Sequence, residues 1–175
     1  MRLFAAPFLV WLIVAGSYRE AVGVVVFAGV TDWLDGFAAR HLGVAGKAGV
    51  ILDPLADKVM LVTLFFALAY VRLLPLWLLL LVMGRDVVIV TGALLLRIFR
   101  NIRKFVPSLV GKVSTFFQIV FVLLVLLWAA WPFKVLAILK ALALILTTIF
   151  TAWSGAGYIR LGIQLARRKP VETLQ

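Results

Sequence analysis

Residues 32–58 read DWLDGFAARHLGVAGKAGVILDPLADK and hold four of the seven acidic residues of the chain, Asp32, Asp35, Asp53 and Asp57. Around them the sequence is overwhelmingly apolar, so four carboxylates gathered in 26 residues mark the place where chemistry is expected. Asp32 and Asp35 are three apart, and Asp53 and Asp57 are four apart. On helices each pair projects from one face, separated along the axis by about 4.5 and 6 Å.

Carboxylates converging in a low-dielectric setting repel one another, and the usual remedies are protonation or a divalent cation. Oxygen-only ligands select hard cations, Mg²⁺ or Mn²⁺, over zinc. The chain has no cysteine, and its single histidine, His41, cannot build a zinc site alone. Between the pairs lie Gly36, Ala39, Arg40 and Gly49. Small residues one turn apart clear a strip of backbone for a ligand or another helix, while the planar fork of Arg40 suits phosphate oxygens. Metals beside an arginine suggest a phosphate-bearing substrate.

The string D-x2-D-G-x2-A-R-x8-G-x3-D-x3-D, filled by Asp32, Asp35, Gly36, Ala39, Arg40, Gly49, Asp53 and Asp57, resembles the signature of the CDP-alcohol phosphatidyltransferases. All eight fixed positions and the eight-residue gap agree, which makes the match far more specific than a lone glycine-rich loop. The resemblance implies transfer of a phosphatidyl group from CDP-diacylglycerol to an alcohol, with CMP leaving. It also implies two Mg²⁺ or Mn²⁺ ions: Asp32, Asp35, Asp53 and Asp57 are the metal residues, with Asp57 also the general base on the acceptor hydroxyl. Asp32, Gly36, Ala39, Arg40 and Gly49 are the CDP-binding residues. It further implies a homodimer. Members of the family commonly carry a polar segment before the first span, ending near an arginine; this chain begins Met1-Arg2, and Arg2 takes that arginine's place.

The segments DPLADK, GRDVVIV and PSLVGKVST are similar to those of cardiolipin synthases of the eukaryotic type and of phosphatidylglycerophosphate synthases. In the latter a glutamate is expected after Arg85, whereas Asp86 follows here, which favours phosphatidylglycerol as acceptor over glycerol 3-phosphate. Arg85, Arg103, Lys104 and Lys112 are candidates for binding the acceptor's phosphate in either case.

Outward from the motif, composition decides the class. With 175 residues, 65% of them hydrophobic and 14% charged, and a mean hydropathy of +1.17, the chain is read as an integral membrane protein, since helices apolar all round belong in a bilayer. A cleavable signal peptide would account for one N-terminal apolar run but not for those downstream. A bilayer span takes roughly 20 apolar residues. The expectation is an all-α, polytopic single domain over residues 1–175. Six transmembrane helices are placed near 3–17, 21–40, 48–71, 74–96, 110–131 and 134–158, with a flexible tail from Arg167. Turns are marked by Gly16-Ser17-Tyr18-Arg19, by residues 42–47, by Arg72 before Pro75, by the basic stretch from Arg97 to Lys112, and by Trp131-Pro132.

The net charge of +11 follows topology rather than nucleic acid. With a cytoplasmic N-terminus, twelve basic residues fall on the cytoplasmic side and four, Arg19, Arg72, Lys134 and Lys140, on the other, with Lys58 and Arg85 inside spans. That asymmetry obeys the positive-inside rule and puts the motif in a cytoplasm-facing cavity, in a bacterial inner membrane. Trp77, Trp128 and Trp131 near the outer ends read as interfacial anchors, and Pro54 is expected to kink the third helix. Ionisable groups at membrane depth are functional candidates by default. An ion-coupled transporter would use such groups too, but the acids crowd at one membrane face and no internal repeat is visible. Neither a transporter nor a bundle of purely structural ion pairs accounts for the Asp32 to Asp57 spacing.

Overall fold

A computed structural model describes the backbone of residues 2–42, 49–100 and 109–167. These residues form six α-helices and no strand: α1 (Arg2–Val14), α2 (Tyr18–Leu42), α3 (Gly49–Tyr70), α4 (Leu76–Arg100), α5 (Leu109–Ala130) and α6 (Lys134–Arg167). The all-helical class and the number of helices expected from the sequence are both observed.

The turns form where the sequence punctuates them. After α1 the chain closes with the Ser17 amide on the Leu12 carbonyl (2.9 Å) and the Gly16 amide on the Ile13 carbonyl (3.2 Å). This 6→1 and 5→2 pattern needs a left-handed residue, which Gly16 supplies at φ 78°. The same pattern ends α3, with Leu73 N–H on the Leu68 carbonyl, but there the left-handed position falls on Arg72 at φ 60°, a strained choice for a residue with a Cβ. Pro75 and Phe133 offer their carbonyls to the first turns of α4 and α6. Pro132, lacking an N–H, separates α5 from α6.

Two boundaries differ from the expectation. α4 continues to Arg100, so Arg97 and Arg100 ride on a helix rather than in a turn. α6 runs to Arg167 rather than ending near residue 158, because the segment IRLGIQLAR holds good helix formers and a single Gly162 does not stop it. At 34 residues α6 is about 51 Å long, beyond the thickness of a hydrocarbon core. Pro54 lies within the continuous helix α3, and the tail beyond Arg167 lies outside the described residues.

Helix α5 packs along α6 and against α2, α4 packs on α6, α1 lies on α2 and α3, and α3 touches α4 and α5. The apolar core gathers Leu9, Ile13, Phe65, Leu68, Leu78, Val82, Phe121, Val125 and Leu126, with Phe65 and Phe121 tilted ring to ring at 6.4 Å. The outward surface is apolar as well. Val135, Ile138, Leu142, Ile145, Ile149 and Trp153 of α6 are all exposed. Among the described residues two helical stretches, Leu109–Ala130 and Lys134–Arg160, are long and apolar enough to cross a membrane, and Lys58–Tyr70 is a shorter apolar helix. At the ends of α5 and α6, Lys140 Nζ sits 3.2 Å from the centre of the Trp128 ring, and the Arg19 guanidinium lies 5.9 Å from that of Trp131. Two of the three tryptophans read as anchors thus carry a cation on the ring face.

Candidate active site

Asp32, Asp35, Gly36, Ala39 and Arg40 belong to the last three turns of α2, while Gly49, Asp53 and Asp57 belong to the first three turns of α3. Both aspartate pairs therefore sit on continuous helix, as their three- and four-residue spacing requires if each is to occupy one face. The two helix ends are joined by residues 43–48, a connection that reaches at most about 25 Å even when extended. Chain connectivity alone keeps the two aspartate-bearing segments at the same end of the bundle. The side chains of these motif residues lie outside the described ones.

The next residue along α3 is described, and it opens a polar cluster. Lys58 Nζ stands 2.7 Å from each carboxylate oxygen of Asp86 on α4. The Oδ1 contact is a directed hydrogen bond, while the Oδ2 contact is electrostatic only. Asp86 Oδ1 also accepts from Arg85 Nη1 at 2.8 Å. Adjacent residues on a helix normally diverge, yet the length of the arginine side chain lets Arg85 reach its neighbour's carboxylate while its remaining donors turn the other way. Arg85 Nη2 donates to the Gly111 carbonyl of α5 and to Ser154 Oγ of α6, both at 3.2 Å, and Nε donates to the same hydroxyl at 3.3 Å. The side chains of Arg85 and Asp86 expose only 7% and 12% of their surface. Charges this buried persist only when they are paired and hydrogen-bonded, as both are here.

A second polar set continues down the α5–α6 seam. Ser114 and Thr151 hydroxyls lie 3.1 Å apart, Gln118 Nε2 donates to the Thr151 hydroxyl at 3.2 Å, and the Thr147 hydroxyl donates to the Phe117 carbonyl at 3.0 Å. Ser114, Gln118, Thr147, Thr151 and Ser154 are all buried. Sequence reasoning passed over these residues. The signal was present, because Gly111, Ser114 and Gln118 on α5 and Thr147, Thr151 and Ser154 on α6 recur at helical spacing and so form one polar stripe per helix.

Of the candidate acceptor residues, Arg85 is buried in the cluster just described and Lys112 is exposed on the first turn of α5, next to Gly111. Arg103 and Lys104 lie outside the described residues. The structure thus joins Lys58, Asp86 and Arg85 to one another and places the start of this cluster directly after Asp57 in the chain.

Comparison with known proteins adds an independent line. Residues 1–153 match the family model of the CDP-alcohol phosphatidyltransferases. A CDP-diacylglycerol–glycerol-3-phosphate 3-phosphatidyltransferase of Aquifex aeolicus is 34% identical over 171 residues, which cover 94% of this chain and 92% of that one. A chloroplastic rice protein named for the same activity is 36% identical over 143 residues, 72% of this chain and 44% of its own. Human cardiolipin synthase (CMP-forming) is 34% identical over 137 residues, 69% of this chain and 46% of its own. The chain therefore spans less than half the length of the rice and human relatives, and nearly all of the Aquifex one.

Proposed function

The chain belongs to the CDP-alcohol phosphatidyltransferase family, and from that premise we propose that it moves a phosphatidyl group from CDP-diacylglycerol to an alcohol acceptor, releasing CMP in phospholipid biosynthesis. The observation that carries this reading is the motif's setting: Asp32 and Asp35 near the end of one helix, Asp53 and Asp57 near the start of the next, with a short connection between them.

In the reaction the acceptor's hydroxyl oxygen bonds to the lipid-side phosphorus of the pyrophosphate. The bond from that phosphorus to the bridging oxygen breaks, and CMP departs with the electron pair. Asp57 accepts the hydroxyl proton. Arg40 binds phosphate oxygens of the CDP group, and the small surfaces at Gly36, Ala39 and Gly49 let the nucleotide approach the backbone. The aspartate donor set is all oxygen and fits a hard cation. Asp32, Asp35, Asp53 and Asp57 would hold two Mg²⁺ or Mn²⁺ ions, which supply charge neutralisation at the pyrophosphate.

The bundle is read as a six-span membrane domain with the motif at its cytoplasmic end. Exposed apolar side chains along α6 and the excess of basic residues on one side support this. Phosphatidylglycerol is the acceptor favoured by Asp86 after Arg85. Glycerol 3-phosphate is the second reading, favoured by the name of the relative that matches over nearly the whole of both chains. Purified protein supplied with CDP-diacylglycerol, Mn²⁺ and each acceptor in turn tests both. CMP release with one acceptor, together with its lipid product, identifies the substrate; no release with either rejects the function.

A further inference from the structure

Among the described residues the buried apolar side chains of α3 begin at Leu61, and the fixed point nearest to Asp57 is Lys58. Its ammonium group is clamped by Asp86 of α4, and Asp86 in turn is held by Arg85, which is tied to the Gly111 carbonyl of α5 and the Ser154 hydroxyl of α6. The backbone of α6 lies close beside the same arginine, since a Cβ added at Gly155 would meet Arg85 Cγ at 3.7 Å. Three consecutive links thus connect the start of α3 to three other helices.

We propose that Lys58, Asp86 and Arg85 form a positioning brace that sets the rotation and height of the aspartate-bearing start of α3 against α4, α5 and α6. The inference rests on Asp53 and Asp57 being working residues of that segment. In helical register Asp57 precedes Lys58 by a turn of about 100°, so anchoring one residue fixes the angular position of the other. Arg85 acts through this contact rather than as a ligand for the acceptor, because its Nε, Nη1 and Nη2 atoms already donate to Ser154, Asp86 and Gly111. Working groups held to within a fraction of an ångström need such supports, and a 1 Å displacement costs up to ~10²-fold in rate.

The test uses the purified full chain in lipid nanodiscs as wild type, Lys58→Met, Lys58→Arg, Asp86→Asn and the Lys58→Met/Asp86→Asn double variant. Expected for Lys58→Met is a fall in kcat of about tenfold with KM for CDP-diacylglycerol and for the acceptor within about twofold, and recovery of most of the rate in Lys58→Arg. If the pair acts through one contact, the double variant is no slower than Asp86→Asn alone. A wild-type kcat in Lys58→Met, a loss confined to KM, or losses that multiply in the double variant would each overturn the brace.

Calorimetric titration with Mn²⁺, on variants whose unfolding midpoint in detergent shows them folded, supplies a readout independent of turnover. Removing a nearby positive charge by itself strengthens cation binding, whereas losing the brace misplaces the aspartates and weakens it. Expected is Mn²⁺ binding at least about fivefold weaker in Lys58→Met; unchanged or tighter binding rejects the proposal. Should the wild type release no CMP with either acceptor, the functional reading fails, and this titration still decides the brace by the same criterion.

Discussion

The two halves of the bundle are held together by different physics. Around Phe65 and Phe121 the helices meet through Leu, Val and Phe side chains of α1, α3, α4 and α5, and any of them has many neighbours to share a loss. Around Arg85 they meet through a handful of directed polar contacts that share few donors and acceptors. In a bilayer, where lipid tails are as apolar as the core, the first half is held by close van der Waals packing, and only the second supplies angular specificity. Asp53 and Asp57, the proposed working residues of α3, precede Lys58 at its polar end, while the apolar end holds the fold.

Four substitutions break or sharpen this contrast. The largest effect is expected at the polar end and on turnover alone: Asp57→Asn should lower kcat by ~10²–10⁴-fold with CDP-diacylglycerol binding near normal. Restoration of the rate by excess Mn²⁺ would show that Asp57 is a ligand only and not the base. At the apolar end Phe121→Ala should destabilise the bundle by about 3–5 kcal/mol, read as a lower unfolding midpoint in detergent, with kcat per folded molecule unchanged. A fall in kcat at full folding would erase the distinction between the halves.

Smaller effects lie along the seam between α5 and α6. Ser154→Ala leaves Nε of Arg85 without its acceptor in a buried site and should cost about 1–3 kcal/mol of stability. Loss of activity beyond the unfolded fraction would place Ser154 in the brace. The smallest change, and the one of opposite sign, is expected at Gln118. Its Oε1 atom is buried with no hydrogen-bond partner, so Gln118→Met removes an unmatched acceptor at similar volume. Stability should hold or rise by up to about 1 kcal/mol. A clear fall in the unfolding midpoint would mean that the carboxamide does hold the seam.

How much of this was readable beforehand differs from residue to residue. Gly16 and Pro132 announced their turns because glycine and proline act on the backbone locally. The ends of α4 and α6 did not, since Arg97 and Gly162 permit either a helix or a stop and neighbouring turns decide. Asp86 and Arg85 were recognisable as costly charges in an apolar segment, and the neutral pairing of one with the other was legible. Lys58 was legible as one of several basic residues able to pair with the acids at membrane depth, but its particular partner was not, because Asp86 is 28 residues away on another helix.

By itself the sequence determined the all-helical class, the six helices, the family and the aspartate motif. The class and the helices are written in composition and in short spacings, where helical geometry relates residues without knowledge of the fold, and the motif and family in the order and gaps of eight fixed residues within 26. Only the tertiary structure decided that Arg85 faces α5 and α6, that Ser154 and the Gly111 carbonyl receive it, and that Lys58 is anchored to α4. Those facts depend on which helices become neighbours and at what rotation. Pairwise packing of whole helix faces sets that, and a periodicity within one helix does not encode it.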